Sequence, residues 1–349
     1  MGYIRELIQQ LEEERILPRK ELTVLLEEHT PEDDRYLYER ADRLRRLSFG
    51  NQIYIRGLIE FSSYCKNDCL YCGLRRSNSH AERYRLTSEE ILDCCRVGYQ
   101  LGFRTFVLQS GEDGWYTDRR MCDLIAAIKQ EWPDCALTLS IGEKSRDSYQ
   151  AYFGAGADRY LLRHETANAC HYARLHPPEQ TLASRMECLR SLKEIGYQTG
   201  CGFMVGSPGQ TAAELADDLL FIHEFQPEMV GIGPFIPHHD TPFAHEAAGT
   251  VEQTLFCLAL VRLILPGVLL PATTALGTID PFGREKGIHA GANVIMPNLS
   301  PSDVRRKYML YDNKISAGDE AAENLADLKA RMEAIGCQIP VSRGDYRKI

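Results

Sequence analysis

The sequence predicts a (β/α)8 barrel with a helical extension at its amino terminus and a helical segment at its carboxyl terminus. Three observations support this prediction: the length of 349 residues, a hydrophobic share of 44%, and short β-rich runs that alternate with longer helical runs from residue 52 onward. Eight alternations would make a wide open sheet, so a closed barrel is favoured over a doubly wound sheet. Because no low-complexity linker interrupts the chain, we expect one domain over residues 1–349, with helices at 1–50, the barrel at 51–300 and a cap at 301–349.

The first fifty residues have the pattern of short amphipathic helices, which we predict at residues 4–15, 20–29 and 31–47. The third of these helices follows Thr30 and begins with Pro31 and two acidic residues. Proline suits the first helical turn, and acidic side chains there stabilise the positive end of the helix dipole. These signals mark the start of the third helix.

The rest of the chain alternates between strands and helices. The predicted strands are residues 53–61, 105–109, 137–140, 159–163, 202–205, 230–233, 268–273 and 293–296. The predicted helices between them are residues 88–101, 119–132, 145–153, 182–195, 212–225 and 252–265, and a short Gly-rich connection separates the last two strands. Gly102, Gly156 and Gly196 each follow a predicted helix, as C-cap glycines do.

The charge balance argues against two classes of partner. Lys and Arg number 40 against 49 for Asp and Glu, a net charge of −9, so we expect no general attraction to nucleic acid or anionic lipid. The most apolar run, residues 255–270, is interrupted by Arg262 and Pro266, and the amino terminus has no apolar signal core. We therefore expect a cytoplasmic enzyme that does not bind membranes.

Three of the twelve cysteines, Cys65, Cys69 and Cys72, form a tight group directly after the first predicted strand. In a barrel this loop would lie on the active-site face. Three thiolates can hold an iron–sulfur cluster while leaving one metal position without a protein ligand. The alternatives are a zinc site, which needs four ligands and has only His80 nearby as a candidate, and a group of reduced structural thiols.

The cysteine motif and its surroundings resemble the radical S-adenosylmethionine (SAM) enzymes and, among them, the HydE family of [FeFe]-hydrogenase maturases. CKNDCLYC matches the CxxxCxΦC signature, in which Tyr71 is the aromatic residue before the last cysteine. Further similar stretches, in chain order, are YCGLRRSN, VLQSGED, LSIGE, DRYLLRHETAN, MVGSPGQT, MVGIGPFIPH, PATTALGT and GANVIMPN. The resemblance extends to about Tyr311 and implies a radical SAM barrel, with one [4Fe-4S] cluster on the three cysteines and SAM on the unique iron.

SAM presents an amine, a carboxylate, a ribose diol and an adenine, so its site needs polar and charged groups at strand ends. Ser110-Gly111-Glu112 ends the second strand, where Gly111 permits close backbone approach and either neighbour could meet the amine. An ordinary capped turn is the alternative. Thr138 and Ser140 share one face of the third strand.

On the fourth strand, Arg159, Leu161, Arg163 and Glu165 share one face because side chains alternate along a strand. Arg163 and Glu165 could grip a carboxylate and a ribose, or could form a structural ion pair. Arg185 could bind the SAM carboxylate or be solvated. The family pattern favours function for Ser140, Glu165 and Arg185, and the predicted cofactor contacts are Tyr71, Ser110, Glu112, Thr138, Ser140, Glu165, Arg185 and Met229.

A second group of residues is expected to surround a substrate at the barrel mouth, and its predicted catalytic members are Arg163, Tyr308 and Tyr311. The i,i+3 spacing of the two tyrosines also fits helical core packing, whereas the resemblance places them near substrate. Four further residues are expected to line the barrel first and to contact substrate second: Met229, Thr273, Thr274 and Met296. His238-His239-Asp240 resembles a metal site, but adjacent strand residues face opposite sides, so we interpret it as loop polarity.

The resemblance implies an enzyme that cleaves SAM reductively and acts on an iron–cysteine precursor, with carbonyl and cyanide ligands, during assembly of the diiron H-cluster. The alternatives are a mutase similar to methylornithine synthase and a non-catalytic iron–sulfur carrier. The expected partners are the small organometallic substrate, a reductant protein of unknown identity and other hydrogenase maturases.

The remaining cysteines limit the number of clusters. Some HydE members carry a second cysteine set near the carboxyl terminus, but here only Cys337 follows Met296, so we predict one cluster. Biotin synthase, a related enzyme, needs a second cluster inside its barrel. Cys201 on the fifth strand has no partner cysteine on the second or fourth strand, and this puts sulfur insertion in doubt.

Overall fold

The computed structural model describes residues 2–315 and 322–348 and confirms the barrel, with helices at both ends of the chain. The helices among these residues are α1 (Tyr3–Glu14), α2 (Arg19–Glu28), α3 (Pro31–Phe49), α4 (Ser88–Leu101), α5 (Asp118–Glu131), α6 (Arg146–Ala155), α7 (Ala169–Leu175), α8 (Leu182–Ile195), α9 (Ala212–Phe225), α10 (Val251–Ile264), α11 (Thr274–Ile279), α12 (Gly283–His289), α13 (Ser302–Arg305) and α14 (Leu325–Ala334). The strands are β1 (Tyr54–Ile55), β2 (Gly57–Ser62), β3 (Thr105–Ser110), β4 (Ala136–Ser140), β5 (Arg159–Leu161), β6 (Gln198–Cys201), β7 (Met204–Val205), β8 (Met229–Val230), β9 (Gly233–Pro234) and β10 (Val294–Ile295).

Parallel pairing runs all the way around the barrel. Six strands form a continuous parallel sheet in the order β2-β3-β4-β5-β6-β8, and β10 pairs in parallel with β1. Three isolated parallel bridges complete the ring: Met229 with Leu269, Pro271 with Val294, and Leu58 with Asn298. The predicted seventh strand therefore contributes bridges rather than a continuous ladder, and the carboxyl ends of all the strands lie at one mouth.

Most of the long helices begin behind a hydroxyl side chain that accepts a hydrogen bond from the third residue of the helix. These N-cap residues are Thr30, Thr87, Thr117, Ser145, Thr181 and Thr250. Each such cap is worth about 1 kcal/mol, because it satisfies an amide that the helix itself leaves without a partner. The caps explain why the predicted helix boundaries fall within a few residues of the observed ones.

The fifth strand differs from its prediction at residues 202–205, because the ladder begins at Gln198 and is interrupted after Cys201. The backbones at Gly202 and Gly231 approach so closely that a Cβ on Gly202 would lie 1.9 Å from the Gly231 carbonyl oxygen. The missed part of the strand contains Gly200, and glycine carries little β-propensity, which hid the start of the strand from the sequence pattern.

Four short helices were not predicted, namely α13 after the last strand and three within the barrel. Helix α7 follows the fourth strand, and α11 and α12 occupy the Gly-rich connection before the last strand. These three have only six or seven residues each, too few for a helical period to stand out from the sequence. The helical segment predicted at the carboxyl terminus is α14. Residues 316–321, which precede it, lie outside the described part of the chain.

The additions to the barrel cover its side and both of its ends. Helix α2 packs on α9, and α3 packs on α10. At the amino-terminal end of the strands, Arg159 is fully buried and donates to the Asp345 carboxylate at 2.6 Å and to the Arg343 carbonyl at 3.0 Å. The cap predicted at 301–349 therefore reaches both ends, because residues 343–346 close the base while residues 308–314 cross the mouth. No helix of the described residues combines the length and apolarity of a membrane span.

The base of the barrel provides a stability test. Burial alone would raise the pKa of Asp345, but hydrogen bonds from Arg343 and Arg159 lower it to about 2. Asp345→Asn should reduce the free energy of unfolding at pH 7 by about 1–2 kcal/mol, a figure that allows for the partial exposure of Asp345. The difference should shrink as the pH falls toward 2, since a depressed carboxyl pKa stabilises the fold only above that range.

Urea unfolding followed by circular dichroism measures this effect. Asp123→Asn is the matched control, because Asp123 faces Arg119 at 3.9 Å on the exposed side of α5. An equal unfolding midpoint for Asp345→Asn and the parent protein at pH 7 would contradict this account of the base.

Candidate functional site

The cysteine loop leaves the carboxyl end of β2 and is held by backbone hydrogen bonds from three directions. The amides of Lys66, Leu70 and Gly73 donate to the carbonyls of Glu112, Leu175 and Leu310 at 3.0, 2.9 and 2.9 Å. These acceptors belong to the second strand's loop, to α7 and to the segment that crosses the mouth. The loop is irregular, but neighbouring elements fix its path.

Three charged residues that were not predicted also brace the loop. The Asp68 carboxylate accepts from Arg75 at 2.9 and 2.8 Å and from the Ser77 amide at 3.0 Å, and the guanidinium of Arg75 holds the pKa of Asp68 below its usual range. Arg83 donates to four backbone carbonyls of the loop and its flanks. Their position within and just after the cysteine motif was the only signal in the sequence.

The three thiols of this loop are partly buried and close enough to influence one another. Burial, with the Cys65 thiol as the next cause, raises the pKa of Cys69 to about 12, and burial and the other two thiols also raise the pKa of Cys72. Bringing three thiolates together is therefore unfavourable without a cation, and a bound metal group would supply the missing charge. The Glu112 amide donates to the Cys65 sulfur at 3.3 Å, a contact suited to a sulfur that carries charge.

The spacing of the thiols separates the two metal interpretations. A tetrahedral zinc ion with bonds of about 2.3 Å needs sulfur atoms about 3.8 Å apart. Within the described residues, only His238, His239 and Asp312 form a His, Cys, Asp or Glu group whose ligand atoms all lie within 4.8 Å of one another. The three cysteines do not meet that separation, so their donor set fits a multi-iron cluster better than a single ion.

The polar tripeptide after the second strand serves the cysteine loop itself. A Cβ on Gly111 would lie 2.3 Å from the Tyr64 carbonyl oxygen, so the close approach that Gly111 permits is to this backbone. The Glu112 carboxylate accepts from the Glu143 amide at 2.8 Å and lies 3.2 Å from Lys66. That Glu112 binds the amine of SAM stays a prediction. A ligand there would share the Glu112 carboxylate with the Glu143 amide and Lys66.

The charged residues predicted on the fourth strand and on α8 meet in one network. Arg185 is buried rather than solvated, and it donates to the Glu143 carboxylate and to the Arg163 carbonyl, each at 2.6 Å. Arg163 and Glu165 lie 3.0 Å apart, as the structural ion-pair alternative requires. The pair lacks the alignment of a hydrogen bond, however, so donors of Arg163 and one oxygen of Glu165 retain bonding capacity.

Glu165 lies beside the cysteine loop in an unusual conformation. Its φ angle of 65° is left-handed, which is uncommon for a residue other than glycine. The charge of Glu165 raises the pKa of Cys69, Cys72 and Tyr71, after the larger effect of burial, so its carboxylate lies near all three. The structure therefore places Glu165 and the motif at the same point of the mouth.

Tyr71 packs against residues that follow the fourth strand. Its hydroxyl lies 3.3 Å from His176 Nε2, and the two rings meet edge to face at 5.5 Å. His176 stacks in turn on Tyr172 at 3.9 Å, and Cys69 contacts the side chain of Gln180 at 3.4 Å. Sequence reasoning missed His176 and Gln180, because they come more than a hundred residues after the motif.

Ser110, Thr138 and Ser140 lie at different depths in the barrel. Ser110 and Ser140 end their strands and are half-buried, and the Ser110 hydroxyl donates to the Gly111 carbonyl at 2.6 Å. Thr138 is two residues deeper, is 1% exposed, and has a hydroxyl without a hydrogen-bond partner. Ser110 and Ser140 are therefore within reach of a ligand at the mouth, and Thr138 of one that enters the barrel.

Met229 is the one predicted cofactor contact that the structure places away from the cysteine loop. It begins β8, about 13 Å of strand below the start of β9. Its sulfur lies 2.9 Å from Arg56 Nη1, and its side chain packs with Tyr54, Leu269 and Val294. Met229 is thus a lining residue near the base, where Met296 also packs.

The predicted substrate residues lie on two segments at the mouth. Tyr308 is a buried residue at the start of the crossing segment, and its hydroxyl lies near the Gln109 side chain of β3, while Tyr311 is partly exposed. Residues 308–311 are not helical, so the helical packing alternative does not apply. Thr273 caps α11 with a buried hydroxyl that lacks a hydrogen-bond partner, and Thr274 begins that helix.

The crossing segment is fixed by a buried ion pair. Lys314 Nζ lies 2.5 Å from the carboxylate of Glu60 and 3.0 Å from the Tyr308 carbonyl, and Asn298 donates to the other Glu60 oxygen at 2.9 Å. Neither Glu60 nor Lys314 was predicted, since the two lie 254 residues apart. Their pairing holds Tyr308 over the end of the first strand.

His238 and His239 stack at 4.5 Å rather than facing opposite sides, because they lie in a turn and not in a strand. His239 Nδ1 contacts the Asp312 carboxylate at 2.6 Å. The Asp240 amide donates to His238 Nδ1 at 3.1 Å, so the proton of neutral His238 lies on Nε2, the atom nearer Asp312. These polar side chains pair with one another, as loop polarity requires, although the ligand atoms of His238, His239 and Asp312 also lie within 4.8 Å of one another.

The comparisons with known proteins agree with this geometry. Residues 59–222 match the family model of the Radical SAM superfamily. The chain is similar to the [FeFe] hydrogenase maturase subunit HydE of Thermotoga maritima, with 47% identity over 337 residues that cover 95% of this chain and 94% of the relative. It is also similar to 3-methylornithine synthase of Methanosarcina acetivorans, with 28% identity over 94% of this chain and 92% of that one.

Among solved structures, methylornithine synthase (PylB) superposes with a TM-score of 0.84 at 28% identity, covering 96% of this chain and 97% of that one. The HydE relative is considerably more similar in sequence than either methylornithine synthase. At 47% identity over nearly the whole of both chains, the protein belongs to the HydE family of [FeFe]-hydrogenase maturases within the radical SAM superfamily.

Proposed function

We propose that this protein is a maturase that holds one [4Fe-4S] cluster, cleaves SAM reductively, and acts on an iron–cysteine precursor with carbonyl and cyanide ligands during assembly of the hydrogenase H-cluster. Membership of the family implies an iron–sulfur cluster and SAM. The observation that carries the proposal is the meeting of three thiols, Glu165 and Arg163 at one barrel mouth.

The proposed cluster ligands are Cys65, Cys69 and Cys72, which leave one iron for an exogenous ligand. A bound cluster supplies the electron that breaks the sulfonium bond of SAM, releasing methionine and a 5′-deoxyadenosyl radical. The Glu112 amide donates to the Cys65 sulfur, and the braces at Asp68 hold the loop in place. The protein thus contributes orientation and a shielded site rather than covalent chemistry.

The proposed SAM contacts lie around the cysteine loop. Glu165 offers a carboxylate oxygen without a hydrogen-bond partner, which suits a ribose diol. Arg185, whose guanidinium is held between Glu143 and the Arg163 carbonyl, offers positive charge for the SAM carboxylate. The rest of the proposed set is Tyr71, Ser110, Glu112, Thr138, Ser140 and, deeper in the barrel, Met229.

The proposed substrate site is the interior beneath residues 308–314. It contains Arg163, the unpartnered hydroxyl of Thr273, and the phenol of Tyr308. A cation and hydroxyls in a closed barrel suit a small anionic ligand, and Arg163 would grip the carboxylate of the bound cysteine. Tyr311 would border this site from the crossing segment, with Thr274 on the opposite rim.

A mutase similar to methylornithine synthase is the second candidate, and the TM-score of 0.84 to that enzyme favours it. The higher identity to the HydE relative favours the maturase. Cys201 faces the outer helices, with Lys193 and Asp218 as neighbours, so the barrel interior offers no cysteine at this position for sulfur insertion. A non-catalytic carrier would have no use for the charged groups around the loop.

The proposed partners are a reductant protein, the small iron–cysteine substrate and other hydrogenase maturases. We also propose a cytoplasmic location, because all twelve cysteines are unpaired thiols and a reducing compartment keeps thiols in that state.

The cluster proposal is tested by metal analysis. Anaerobically reconstituted protein should contain about four iron and four sulfide per chain, and changing Cys65, Cys69 or Cys72 to Ala should remove them. Cys337→Ala is the control, because Cys337 is buried beside Arg45 of α3 and should leave the iron content unchanged. About eight iron per chain, half of which survives loss of the three ligands, would refute the single cluster.

The SAM contacts are tested by equilibrium binding. Glu165→Gln or Arg185→Ala should each weaken SAM binding about ten- to a hundredfold while iron content stays near normal, since each removes a charge-assisted contact of about 1.5–3 kcal/mol. Arg190→Ala is the matched control, because Arg190 lies on the same helix and pairs with Glu187 in solvent. If both variants bound SAM like the parent, the assignment of this face would be wrong.

The substrate proposal is tested with the iron–cysteine complex, SAM and a reductant. We expect attack of the deoxyadenosyl radical at the substrate sulfur, which forms a C5′–S bond while the remaining electron passes to the substrate iron, and the adenosyl thioether should be detectable by mass spectrometry. Arg163→Lys should retain SAM cleavage and lose most of the adduct, because a lysine cannot make the two-pronged contact of arginine with a carboxylate. Conversion of lysine to methylornithine, with no adduct from the iron complex, would favour the mutase instead.

A further inference from the structure

We propose that the buried pair His164 and Asp218 acts as a positioning device that holds Glu165 in its left-handed conformation, so that the Glu165 carboxylate faces the cysteine loop. The inference rests on the proposed SAM contact of Glu165. His164 and Asp218 are both fully buried in the outer wall of the barrel. They have no access to ligand, so any effect on SAM binding must act through the backbone.

The conformation of Glu165 needs support from its neighbours. At a φ of 65°, a residue with a Cβ is in a sparsely populated region, and such residues persist only where the surroundings over-determine them. Two strand-like hydrogen bonds hold Glu165 itself: its amide donates to the Gly202 carbonyl at 3.0 Å, and its carbonyl accepts from the Met204 amide at 3.2 Å. These bonds fix its peptide groups to the fifth strand.

The buried pair anchors the residues on both sides of Glu165. His164 Nδ1 accepts from the Gly202 amide at 3.2 Å, and His164 Nε2 lies 3.1 Å from Asp218 Oδ1. The same carboxylate oxygen accepts from the Ala167 amide at 2.6 Å. The residue before Glu165 and the second residue after it are thus tied to one carboxylate of α9, and the segment between them must turn sharply.

The direction of each hydrogen bond is defined. Because an amide donates to Nδ1, the proton of neutral His164 lies on Nε2 and points at Asp218. Burial lowers the pKa of His164 to about 3, so the neutral ring persists across the physiological range. Phe221 meets the imidazole ring edge to face at 4.7 Å, and Phe203 lies 6.0 Å from it.

The turn also separates the faces of the strand. Arg163 and Glu165 face the mouth, whereas His164 between them faces the helices. Loss of the buried pair would let Glu165 relax toward an ordinary negative φ, which redirects its side chain. We therefore expect the effect to be specific to SAM binding rather than to cluster assembly.

The test is a double-mutant cycle on the reconstituted holoenzyme, read by anaerobic calorimetric titration with SAM. His164→Phe keeps the ring and removes both nitrogen contacts, and we expect the Kd for SAM to rise about tenfold. In a Glu165→Gln background the same change should raise the Kd by less than about threefold. The effect of His164 on SAM binding depends on the Glu165 carboxylate, which this background lacks. The EPR change that SAM induces in the reduced cluster should follow the same order.

Two further variants separate positioning from general stability. Asp218→Asn keeps a carbonyl oxygen for the His164 and Ala167 donors and should bind SAM nearly like the parent, whereas Asp218→Ala should resemble His164→Phe. His171→Phe is the matched control, because His171 is another fully buried histidine, bonded to Ser207 at 2.8 Å, that does not contact the fourth strand's end. We expect its Kd to change less than about twofold. If His164→Phe does not fold, Asp218→Ala replaces it in the double-mutant cycle, with Asp218→Asn as the conservative comparison.

The outcomes distinguish this inference from the proposed function. An equal loss of affinity from His164→Phe in the parent and the Glu165→Gln backgrounds would overturn the positioning role. Parent-like SAM binding by His164→Phe and Asp218→Ala, with Glu165→Gln weakened, would overturn it too and leave the SAM contact intact. Parent-like binding by Glu165→Gln would instead reject the proposed contact itself.

Discussion

Closure of a parallel barrel is the constraint on which the rest of this structure depends. When eight parallel strands close into a ring, every strand ends at the same mouth, whatever the distance between them in sequence. Here the ring is completed by short bridges such as the one between Leu58 and Asn298. Three segments meet at this mouth because each follows the carboxyl end of a barrel strand. They are residues 65–72, Glu165 and residues 308–314.

The mouth is held together by charges whose partners come from different strands. Glu143 pairs with Arg185, Arg163 lies beside Glu165, and Lys314 pairs with Glu60. Most of these groups are buried, so loss of one partner would leave a charge in a medium that solvates it poorly. The network therefore holds the site rigid, and the few polar atoms within it that lack partners, such as one oxygen of Glu165, are available to a ligand.

Much of the fold followed from local patterns in the sequence. Strand and helix positions could be predicted because hydrophobic periodicity and hydroxyl caps act over a few residues, as at Thr87 before α4. The cysteine group could be found because its ligands are adjacent in the chain. The interruption of the fifth strand at Gly202 could not, since it depends on a contact with Gly231 rather than on the neighbours of Gly202 in the sequence.

The pairings within the site were beyond reach of the sequence for a similar reason. Glu60 meets Lys314 across 254 residues, and His164 meets Asp218 across 54, so no period or motif connects them. Met229 shows the limit of the strand pattern: side-chain alternation identifies a residue that faces the barrel axis but not its depth, and Met229 packs beside Arg56. Depth depends on the stagger between strands, which only the closed ring defines.

The barrel contains polar groups at two separate levels, one at its base and one at its mouth. At the base, Arg159 is matched by Asp345 and the tail carbonyl, so that end is closed by groups of the chain itself. At the mouth, the arginine of the same strand face, Arg163, retains donors without partners. Arg159 and Arg163 are four residues apart, which is two inward-facing positions along one strand, or about 13 Å. One strand face therefore carries a cation with hydrogen-bonded partners at the base, and at the mouth a cation that lies 3.0 Å from Glu165 but keeps donors without hydrogen bonds.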